Sequence, residues 1–213
     1  MKILELYSGT GSFSRAAEKR GHTVFTIDID PQFGPSLVKD ITKLEKTDIP
    51  FIPDVIWCSP PCQEYSHAKR SGVRHFKTAD KNVLKCLEVI KWYENPIWII
   101  ENPQTGLLKS RPFMRKLNLP FTDVSYCKYG LEYRKQTRLW NNFGFLGKTC
   151  QNDCTHMTPG LVRMRHIGSA GCGGQGQGHK IRYTNKAYNR LDKYKIPTPL
   201  CSDIIKFIEK IKK

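Results

Sequence analysis

The chain has 213 residues, with 35 Lys and Arg against 19 Asp and Glu, which gives a formal net charge of +16. Hydrophobic residues make up 39% of the sequence, which excludes a disordered tail protein. No apolar run approaches the roughly 18 residues of a membrane span. Because neutralising phosphates releases condensed counterions, the large positive charge predicts a polyanionic partner, either RNA or DNA.

The N-terminal segment and the cysteines bear on where the chain works. The first residues, MKILELYSGTGSF, contain a short apolar stretch without the cleavage site of an export signal. We therefore expect an intracellular protein that is not secreted and does not bind a membrane. The sequence leaves the oligomeric state open, with a monomer favoured. In such a chain the eight cysteines are better explained as thiols, metal ligands or a nucleophile than as a disulfide framework.

Apolar strand patterns alternate with helical patterns along most of the chain. The predicted strands are residues 2–7, 23–28, 54–58, 97–100, 124–127 and 138–143. The predicted helices are residues 13–20, 83–93, 112–117 and 202–212. This alternation predicts an α/β fold with a parallel sheet and helices on both of its faces.

The composition changes at about residue 142. Between residues 142 and 199 there are nine glycines, nine Lys or Arg and only two acids, with few aliphatic residues to build a core. This stretch is predicted to be a small, basic, loop-rich insert.

A glycine-rich turn follows the first predicted strand. The segment Tyr7-Ser8-Gly9-Thr10-Gly11-Ser12-Phe13 precedes a helix, where glycines let the backbone approach a ligand and the helix N-terminus offers free N–H groups. The third glycine of a dinucleotide fingerprint is missing, so an ordinary turn is the alternative. Asp28, at the end of the second strand, is either a ligand for ribose hydroxyls or a solvated strand end.

Two further segments carry groups that could do chemistry. In the segment Ser59-Pro60-Pro61-Cys62-Gln63 the prolines fix the backbone just after a strand, where open α/β sheets have their sites. Cys62 is a nucleophile if nearby positive charge lowers its pKa, and otherwise a small buried hydrophobe. After the next strand comes Glu101, whose carboxyl group could be kept partly protonated by burial and donate a proton to a heteroaromatic ring. A turn cap is the alternative for Glu101.

The order of these segments resembles the DNA cytosine-5 methyltransferase family, whose members use S-adenosyl-L-methionine (AdoMet). Residues 59–63 are similar to the family's GPPCQ, and Glu101-Asn102-Pro103 stands where the family has ENV. Val38-Lys39-Asp40-Ile41 is similar to the GDI segment that contacts adenine. Ile196-Pro197-Thr198-Pro199-Leu200 is similar to a closing motif that folds back beside the cofactor loop. The resemblance covers nearly the whole chain.

The resemblance implies a Rossmann-like AdoMet-dependent methyltransferase fold. Residues 1–141 are then the catalytic AdoMet-binding domain, residues 142–195 a reduced target-recognition insert, and residues 196–213 a segment that returns to the catalytic domain. The implied AdoMet-binding residues are Tyr7, Gly9, Gly11, Phe13, Asp28, Ile29, Asp40, Ile41 and Pro60.

The implied reaction is transfer of a methyl group from AdoMet to C5 of cytosine in DNA. Cys62 attacks C6, Glu101 protonates or hydrogen-bonds N3, and the partner is double-stranded DNA from which the cytosine is flipped out. Two alternatives remain open. The same reaction could act on RNA such as tRNA, or the chain could bind nucleic acid on a methyltransferase scaffold without catalysis.

The sequence departs from the family pattern at one catalytic segment. The family's Gln-x-Arg-x-Arg is here Arg134-Lys135-Gln136-Thr137-Arg138, so Arg138 alone is retained and is the predicted catalytic arginine. Lys135 or Gln136 is expected to substitute for the central arginine. The short insert predicts loose sequence selectivity.

The insert also contains candidate metal ligands. Cys150 and Cys154, separated by three residues, have a spacing that structural zinc sites use, and His156, His166 and Cys172 follow. These residues predict either a structural zinc site or free thiols on a loop.

Overall fold

A seven-stranded sheet forms the centre of the fold. The computed structural model describes residues 1–67, 69, 71–158, 165, 166, 168, 169, 192 and 194–212. The sheet strands are β1 (Lys2–Leu6), β2 (Thr23–Asp28), β3 (Leu37–Val38), β4 (Val55–Cys58), β5 (Ile97–Pro103), β6 (Phe121–Ser125) and β8 (Gln136–Asn141), with a short β7 (Tyr133–Arg134) outside this sheet. Their spatial order is β3-β2-β1-β4-β5-β8-β6. The helices are α1 (Ser12–Glu18), α2 (Phe76–Lys91), α3 (Pro112–Leu117) and α4 (Thr198–Ile211).

The sheet is mixed rather than wholly parallel. Strands β3, β2, β1, β4 and β5 pair in parallel, whereas β8 is antiparallel to both β5 and β6. The expectation of a parallel sheet was therefore wrong at this edge. The connection from β6 to β8, residues 126–135, is shorter than the dozen or more residues that a parallel crossover requires, so the chain returns in the opposite direction.

Helices cover both faces of the sheet, as predicted. On β1, Leu4 and Leu6 pack with the cluster that includes α2, and Ile3 packs with the cluster that includes α1 and α4. Alternate residues of a strand point to opposite faces, so a strand covered on both sides is apolar throughout. The mixed sheet with its two helical layers confirms the predicted α/β, Rossmann-like fold class.

The C-terminal helix α4 packs against α1. Its buried side includes Leu200, Ile204 and Ile208, which belong to the same core cluster as residues of α1. At the far end of α4, the carboxylate of Glu209 accepts hydrogen bonds from Arg20 at 2.6 Å and contacts His22 at 2.9 Å. Just before α4, the backbone N–H of Ile196 donates a hydrogen bond of 3.1 Å to the Ser12 hydroxyl, so this end of the C-terminal segment lies beside the turn that follows β1.

Some elements differ from those that the sequence predicted. Helix α2 begins at Phe76 rather than at residue 83, because its first turns, with the sequence FKTADKN, carry too few apolar residues to show a helical period. In the insert, β9 (Met157–Thr158) pairs with β10 (Arg165–His166), and β11 (Gly168–Ser169) pairs in parallel with β7. Most of the insert, Cys172 included, lies outside the described residues. Within the described part of the chain, every helix falls short of the length and apolarity of a membrane span.

Candidate active site

A cavity of about 370 Å³ opens toward the carboxyl ends of β1, β2, β4 and β5. This position, where strand order reverses around β1, is the usual ligand site of open α/β sheets, and the volume suits a small organic molecule. The structure brings nine of the predicted site residues to its wall: Tyr7, Gly9, Asp28, Ile29, Asp40, Ile41, Pro60, Cys62 and Glu101.

The turn after β1 has an unusual backbone. Tyr7, Gly9 and Gly11 all have positive φ angles, of 58°, 46° and 63°. Glycine adopts such angles without strain, whereas Tyr7 needs support from its surroundings. Its hydroxyl donates a hydrogen bond of 3.2 Å to the side-chain oxygen of Asn82 on α2, which holds the ring against the cavity.

Asp28 organises this turn from the end of β2. Its carboxylate is almost buried and accepts hydrogen bonds from the backbone N–H groups of Gly9, at 2.8 Å, and Asp30, at 3.0 Å. The description of Asp28 as a simple solvated strand end does not fit these contacts. Each carboxylate oxygen keeps a further lone pair, so Asp28 can accept additional hydrogen bonds from a ligand.

The cavity is bounded on one side by apolar residues and Asp40. Ile29, Phe33 and Ile41 line this side. Hydrogen bonds from the hydroxyl and the backbone N–H of Thr42 lower the pKa of Asp40. The charged carboxylate of Asp40 thereby caps the turn that follows it.

Two predicted cofactor residues, Gly11 and Phe13, support the turn without lining the cavity. A Cβ at Gly11 would come within 3.0 Å of the Ser14 hydroxyl, at a backbone angle that side chains rarely adopt. Phe13 is fully buried and stacks on Trp57, with 4.2 Å between ring centroids. Phe13 therefore lies in the core beneath the turn.

Cys62 follows two prolines at the end of β4 and reaches the cavity. Its backbone is tied to β5, because the side-chain amide of Asn102 donates a hydrogen bond of 2.9 Å to the carbonyl of Pro60. Burial raises the pKa of Cys62, the positive charge of Lys135 opposes that rise, and the charge of Glu101 adds to it. Lys135 and Glu101 line the same cavity as Cys62.

Glu101 sits in the buried part of β5 and shares the cavity with Cys62. The hydroxyl of Tyr126 donates a hydrogen bond of 3.0 Å to its Oε1. The Nζ of Lys135 lies 4.0 Å from the same oxygen and 4.8 Å from the centre of the Tyr126 ring. A thiol, a carboxyl group and an ammonium group therefore converge on one wall.

Arg138 is placed differently from its prediction as a catalytic residue. Its guanidinium group forms two hydrogen bonds with Asp123, at 2.7 and 2.8 Å, and lies 3.5 Å from the centre of the Phe121 ring. Among the described residues, Lys135 lines the cavity and Arg138 does not. The cationic residue that shares the cavity with Cys62 is thus Lys135, which was predicted only as a substitute for the family's central arginine.

Comparisons with known proteins agree with this geometry. The model of the family "C-5 cytosine-specific DNA methylase" matches residues 1–133. The chain belongs to that family. A probable DNA (cytosine-5)-methyltransferase of Frog virus 3 (isolate Goorha) is 30% identical over 226 residues, which cover 96% of this chain and 99% of the relative. The predicted enzyme class, DNA (cytosine-5-)-methyltransferase, is confirmed at the level of the family.

Two solved methyltransferase structures are similar in fold to this cytosine-5 DNA methylase. One is a putative DNA modification methyltransferase encoded within an E. coli prophage, with a TM-score of 0.51, 18% identity and coverage of 65% of this chain and 45% of that chain. The other is the methyltransferase EhMeth of Entamoeba histolytica, with a TM-score of 0.53, 18% identity and coverage of 74% and 58%. This chain thus spans about half the length of either structure, and the likeness shows the Rossmann-like fold.

Sequence reasoning missed two buried residues of this methylase site. Glu5 on β1 lines the cavity, is 2% exposed and accepts a hydrogen bond of 2.9 Å from the backbone N–H of Ser14. Burial raises the pKa of Glu5 to about 7. The sequence did contain a signal for Glu5, since a glutamate within the apolar strand KILEL is unusual. Tyr126 had no such signal, because its contact with Glu101 joins residues 25 positions apart.

A group of potential metal ligands lies outside the cavity of the methylase. The ligand atoms of Cys127, Cys150, Cys154 and His166 all lie within 4.8 Å of one another. His156, predicted as a ligand, is not in this group, and Cys172 lies outside the described residues. Cys127 lies in the turn after β6 and was not among the predicted ligands.

Proposed function

We propose that this chain transfers a methyl group from AdoMet to C5 of cytosine in DNA through a covalent bond between Cys62 and C6. The observation that carries the proposal is the convergence of Cys62, Glu101 and Lys135 on one wall of the cavity that the glycine-rich turn closes. A non-catalytic scaffold has no need to keep a thiol, a buried carboxyl group and a balancing cation together.

The residues around the cavity suit AdoMet. The almost buried Asp28 carboxylate retains lone pairs for ribose hydroxyls, and Ile29 and Ile41 offer apolar surface for an adenine ring. Gly9 has open space where a side chain would stand, which leaves its backbone accessible. AdoMet, when bound, supplies an electrophilic methyl group.

Cys62 is the nucleophile in this proposal. The double proline before it and the bond from Asn102 to Pro60 hold the segment rigidly, which reduces the entropy lost on reaching the reactive geometry. Attack of the thiolate on C6 makes C5 nucleophilic, so that a difficult methyl transfer is divided into easier steps. The positive charge of Lys135 favours the thiolate. Loss of the C5 proton and departure of the Cys62 sulfur then restore the ring.

Glu101 holds the proton at N3 of the cytosine in this proposal. A proton or a strong hydrogen bond at N3 lets the ring accept the electrons that the sulfur brings. The Tyr126 hydroxyl fixes one oxygen of Glu101 at 3.0 Å and leaves the other available to a base in the cavity.

The substrate in this proposal is double-stranded DNA. Its cytosine must be flipped out of the stack, at a cost of a few kcal/mol, to reach a sulfur in the cavity. The net charge of +16 provides phosphate contacts that offset this cost. A DNA substrate also agrees with the intracellular location expected from the sequence.

The test is incubation of the full chain with labelled AdoMet and either duplex DNA or tRNA. We expect 5-methylcytosine in DNA, and loss of the product by at least a thousandfold with Cys62→Ala. The matched control is Cys86→Ala, because Cys86 is a buried cysteine of α2 that does not line the cavity. Methylation of tRNA alone would replace the proposed substrate, and activity that survives Cys62→Ala would refute the proposed nucleophile.

A trapping experiment separates catalysis from simple binding. In DNA that contains 5-fluorocytosine, the C5 substituent cannot leave as a proton, so the covalent intermediate should accumulate. We expect a denaturation-resistant protein–DNA adduct that requires both AdoMet and Cys62. Salt-sensitive DNA binding with neither turnover nor adduct would favour a non-catalytic scaffold.

A further inference from the structure

Four side chains from distant parts of the chain meet beside the insert. Cys127 lies in the turn after β6, Cys150 and Cys154 lie in the segment after β8, and His166 lies in β10. Cys127 and Cys150 are buried. The group therefore joins the edge of the catalytic sheet to the beginning of the insert.

The distances within this group match a tetrahedral metal site. All four ligand atoms lie within 4.8 Å of one another, and Cys150 Sγ lies 3.4 Å from His166 Nε2. Zinc–sulfur bonds of about 2.3 Å at tetrahedral angles place neighbouring ligand atoms about 3.8 Å apart. Only small side-chain movements are needed for one ion to reach all four atoms.

The backbone around Cys150 is held in place by its neighbours. The N–H of Cys150 donates a hydrogen bond of 3.1 Å to the Ser125 hydroxyl, and Asn152, with a positive φ of 66°, forms part of the turn between Cys150 and Cys154. The carboxylate of Asp153 accepts hydrogen bonds from the Gln151 N–H at 2.9 Å and from Lys128 at 2.8 Å. Such contacts orient metal ligands before the ion binds.

We propose that Cys127, Cys150, Cys154 and His166 bind a structural Zn²⁺ ion. Three cysteines and one histidine form a common zinc ligand set, and the three-residue separation of Cys150 and Cys154 is typical of it. The protein supplies all four ligands, so no coordination position is open to a substrate and the ion is structural rather than catalytic.

The cluster is poorly explained by a disulfide. A disulfide would use two of the three sulfurs and leave the third cysteine and the imidazole without a function. The structure has these cysteines as free thiols. A metal ion uses all four side chains at once.

The zinc ion would attach the insert to strand β7, which directly precedes the cationic residue of the active site in the chain. Arg134 on β7 donates a hydrogen bond of 3.1 Å to the backbone carbonyl of Cys150, and its neighbour in sequence is Lys135. Strand β7 also pairs with β11 of the insert. The metal therefore fixes the base of the insert next to the wall that holds Glu101 and Cys62.

The first test measures the metal content of the full chain after purification with zinc and a reducing agent. We expect a single zinc ion per chain by mass spectrometry of the metal. Replacement by Co²⁺ should give thiolate-to-cobalt charge-transfer absorption and the intense visible bands of a tetrahedral site. A metal-free protein that also gives no cobalt spectrum, including one with a disulfide in this cluster, would overturn the proposal.

Paired histidine variants identify the ligands. We expect His166→Ala to lose the zinc ion or to bind it at least tenfold more weakly, because the variant lacks the imidazole that is one of the four proposed ligands. His156→Ala is the matched control and should keep it. His166→Cys should also retain zinc, with a cobalt spectrum shifted toward four thiolates, and this variant guards against a simple failure to fold. Retention by His166→Ala together with loss in His156→Ala would overturn the assignment.

The cysteines provide a second independent comparison. Cys127→Ser should lose zinc, whereas Cys172→Ser should keep it, since the proposed ligand set is complete without Cys172. The result is read from metal content and from the drop in melting temperature on adding a chelator. Both readouts are independent of methylation, so failure of the zinc proposal leaves the proposed enzyme activity untouched. Zinc loss from Cys172→Ser but not from Cys127→Ser would contradict the proposal.

Discussion

The phenol of Tyr126 donates a hydrogen bond of 3.0 Å to the carboxylate of Glu101 in the buried wall of the cavity. Burial raises the pKa of Tyr126, so the phenol keeps its proton and acts as the donor. The ring is also fixed, because it is fully buried between the sheet and α4. Glu101 is therefore oriented by a rigid neighbour before any substrate binds.

Tyr126→Phe should lower kcat with little effect on the KM for DNA. The variant removes a hydrogen bond to the carboxyl group proposed to act at N3, which costs about 1.5 kcal/mol or more, or roughly tenfold in rate. Tyr129→Phe is the matched control, because Tyr129 lies on the same turn as Tyr126. Its hydroxyl accepts a hydrogen bond from the Lys148 N–H and does not contact Glu101. Equal losses in both variants would show that the turn, rather than the bond to Glu101, controls the rate.

Lys135→Gln should move the pH–rate profile to higher pH. The charge of Lys135 lowers the pKa of Cys62 against the effect of burial, so its removal leaves less thiolate at neutral pH. One opposite charge at close range is worth about one pH unit or more, which predicts a roughly tenfold loss at pH 7 that is recovered at alkaline pH.

The control for Lys135→Gln is Lys109→Gln, which removes an exposed charge that does not line the cavity. It should change DNA binding slightly and leave the pH profile in place. A Lys135→Gln enzyme that is slower at every pH by the same factor would contradict a role in the ionisation of Cys62.

The fold followed from sequence where local patterns decide it. Apolar strands covered on both faces, such as β4 and the first four residues of β5, are visible as uninterrupted apolar runs. The direction of β8 was not visible, because it depends on the length of the connection from β6 rather than on the residues of the strand. The start of α2 was also hidden, since its first turns are polar and owe their helical form to the packing of Ala79 and Phe76.

The candidate site shows the same division. Residues at or just after the ends of strands, such as Asp28 and Cys62, were predicted because the ends of parallel strands meet at one edge of the sheet. Long-range pairings were not predicted. Lys135 rather than Arg138 faces the cavity, and Cys127 joins ligands from a segment more than 20 residues later. Such contacts are set by tertiary structure, and no local pattern in a single sequence records them.

Asp28→Asn should weaken AdoMet binding by roughly tenfold, measured by isothermal titration calorimetry. The carboxylate accepts backbone hydrogen bonds from Gly9 and Asp30, and an amide in its place must present a donor to one of these N–H groups. A charge-assisted bond of this kind is worth about 1.5–3 kcal/mol. Asp30→Asn is the control, because Asp30 caps the next turn outside the cavity wall and asparagine can do the same. Unchanged affinity in Asp28→Asn would separate this residue from cofactor binding.

Glu5→Gln should stabilise the ligand-free protein at pH 8 but not at pH 4. Burial raises the pKa of Glu5 to about 7 from the ordinary 4.5. Between these two values the unfolded chain has released its proton and the folded chain has kept it, so the free energy of unfolding falls as the pH rises. At about 1.4 kcal/mol per pKa unit, the penalty reaches about 3 kcal/mol above pH 7. Glutamine has no such titration, and its carbonyl oxygen can still accept the bond from the Ser14 N–H.

Urea denaturation of the parent protein and of Glu5→Gln from pH 4 to pH 8 measures this difference in the free energy of unfolding. Glu18→Gln on the exposed side of α1 should differ from the parent by no more than about 0.5 kcal/mol at either pH. A constant difference between Glu5→Gln and the parent from pH 4 to pH 8 would mean that Glu5 ionises as readily in the folded chain as in the unfolded one.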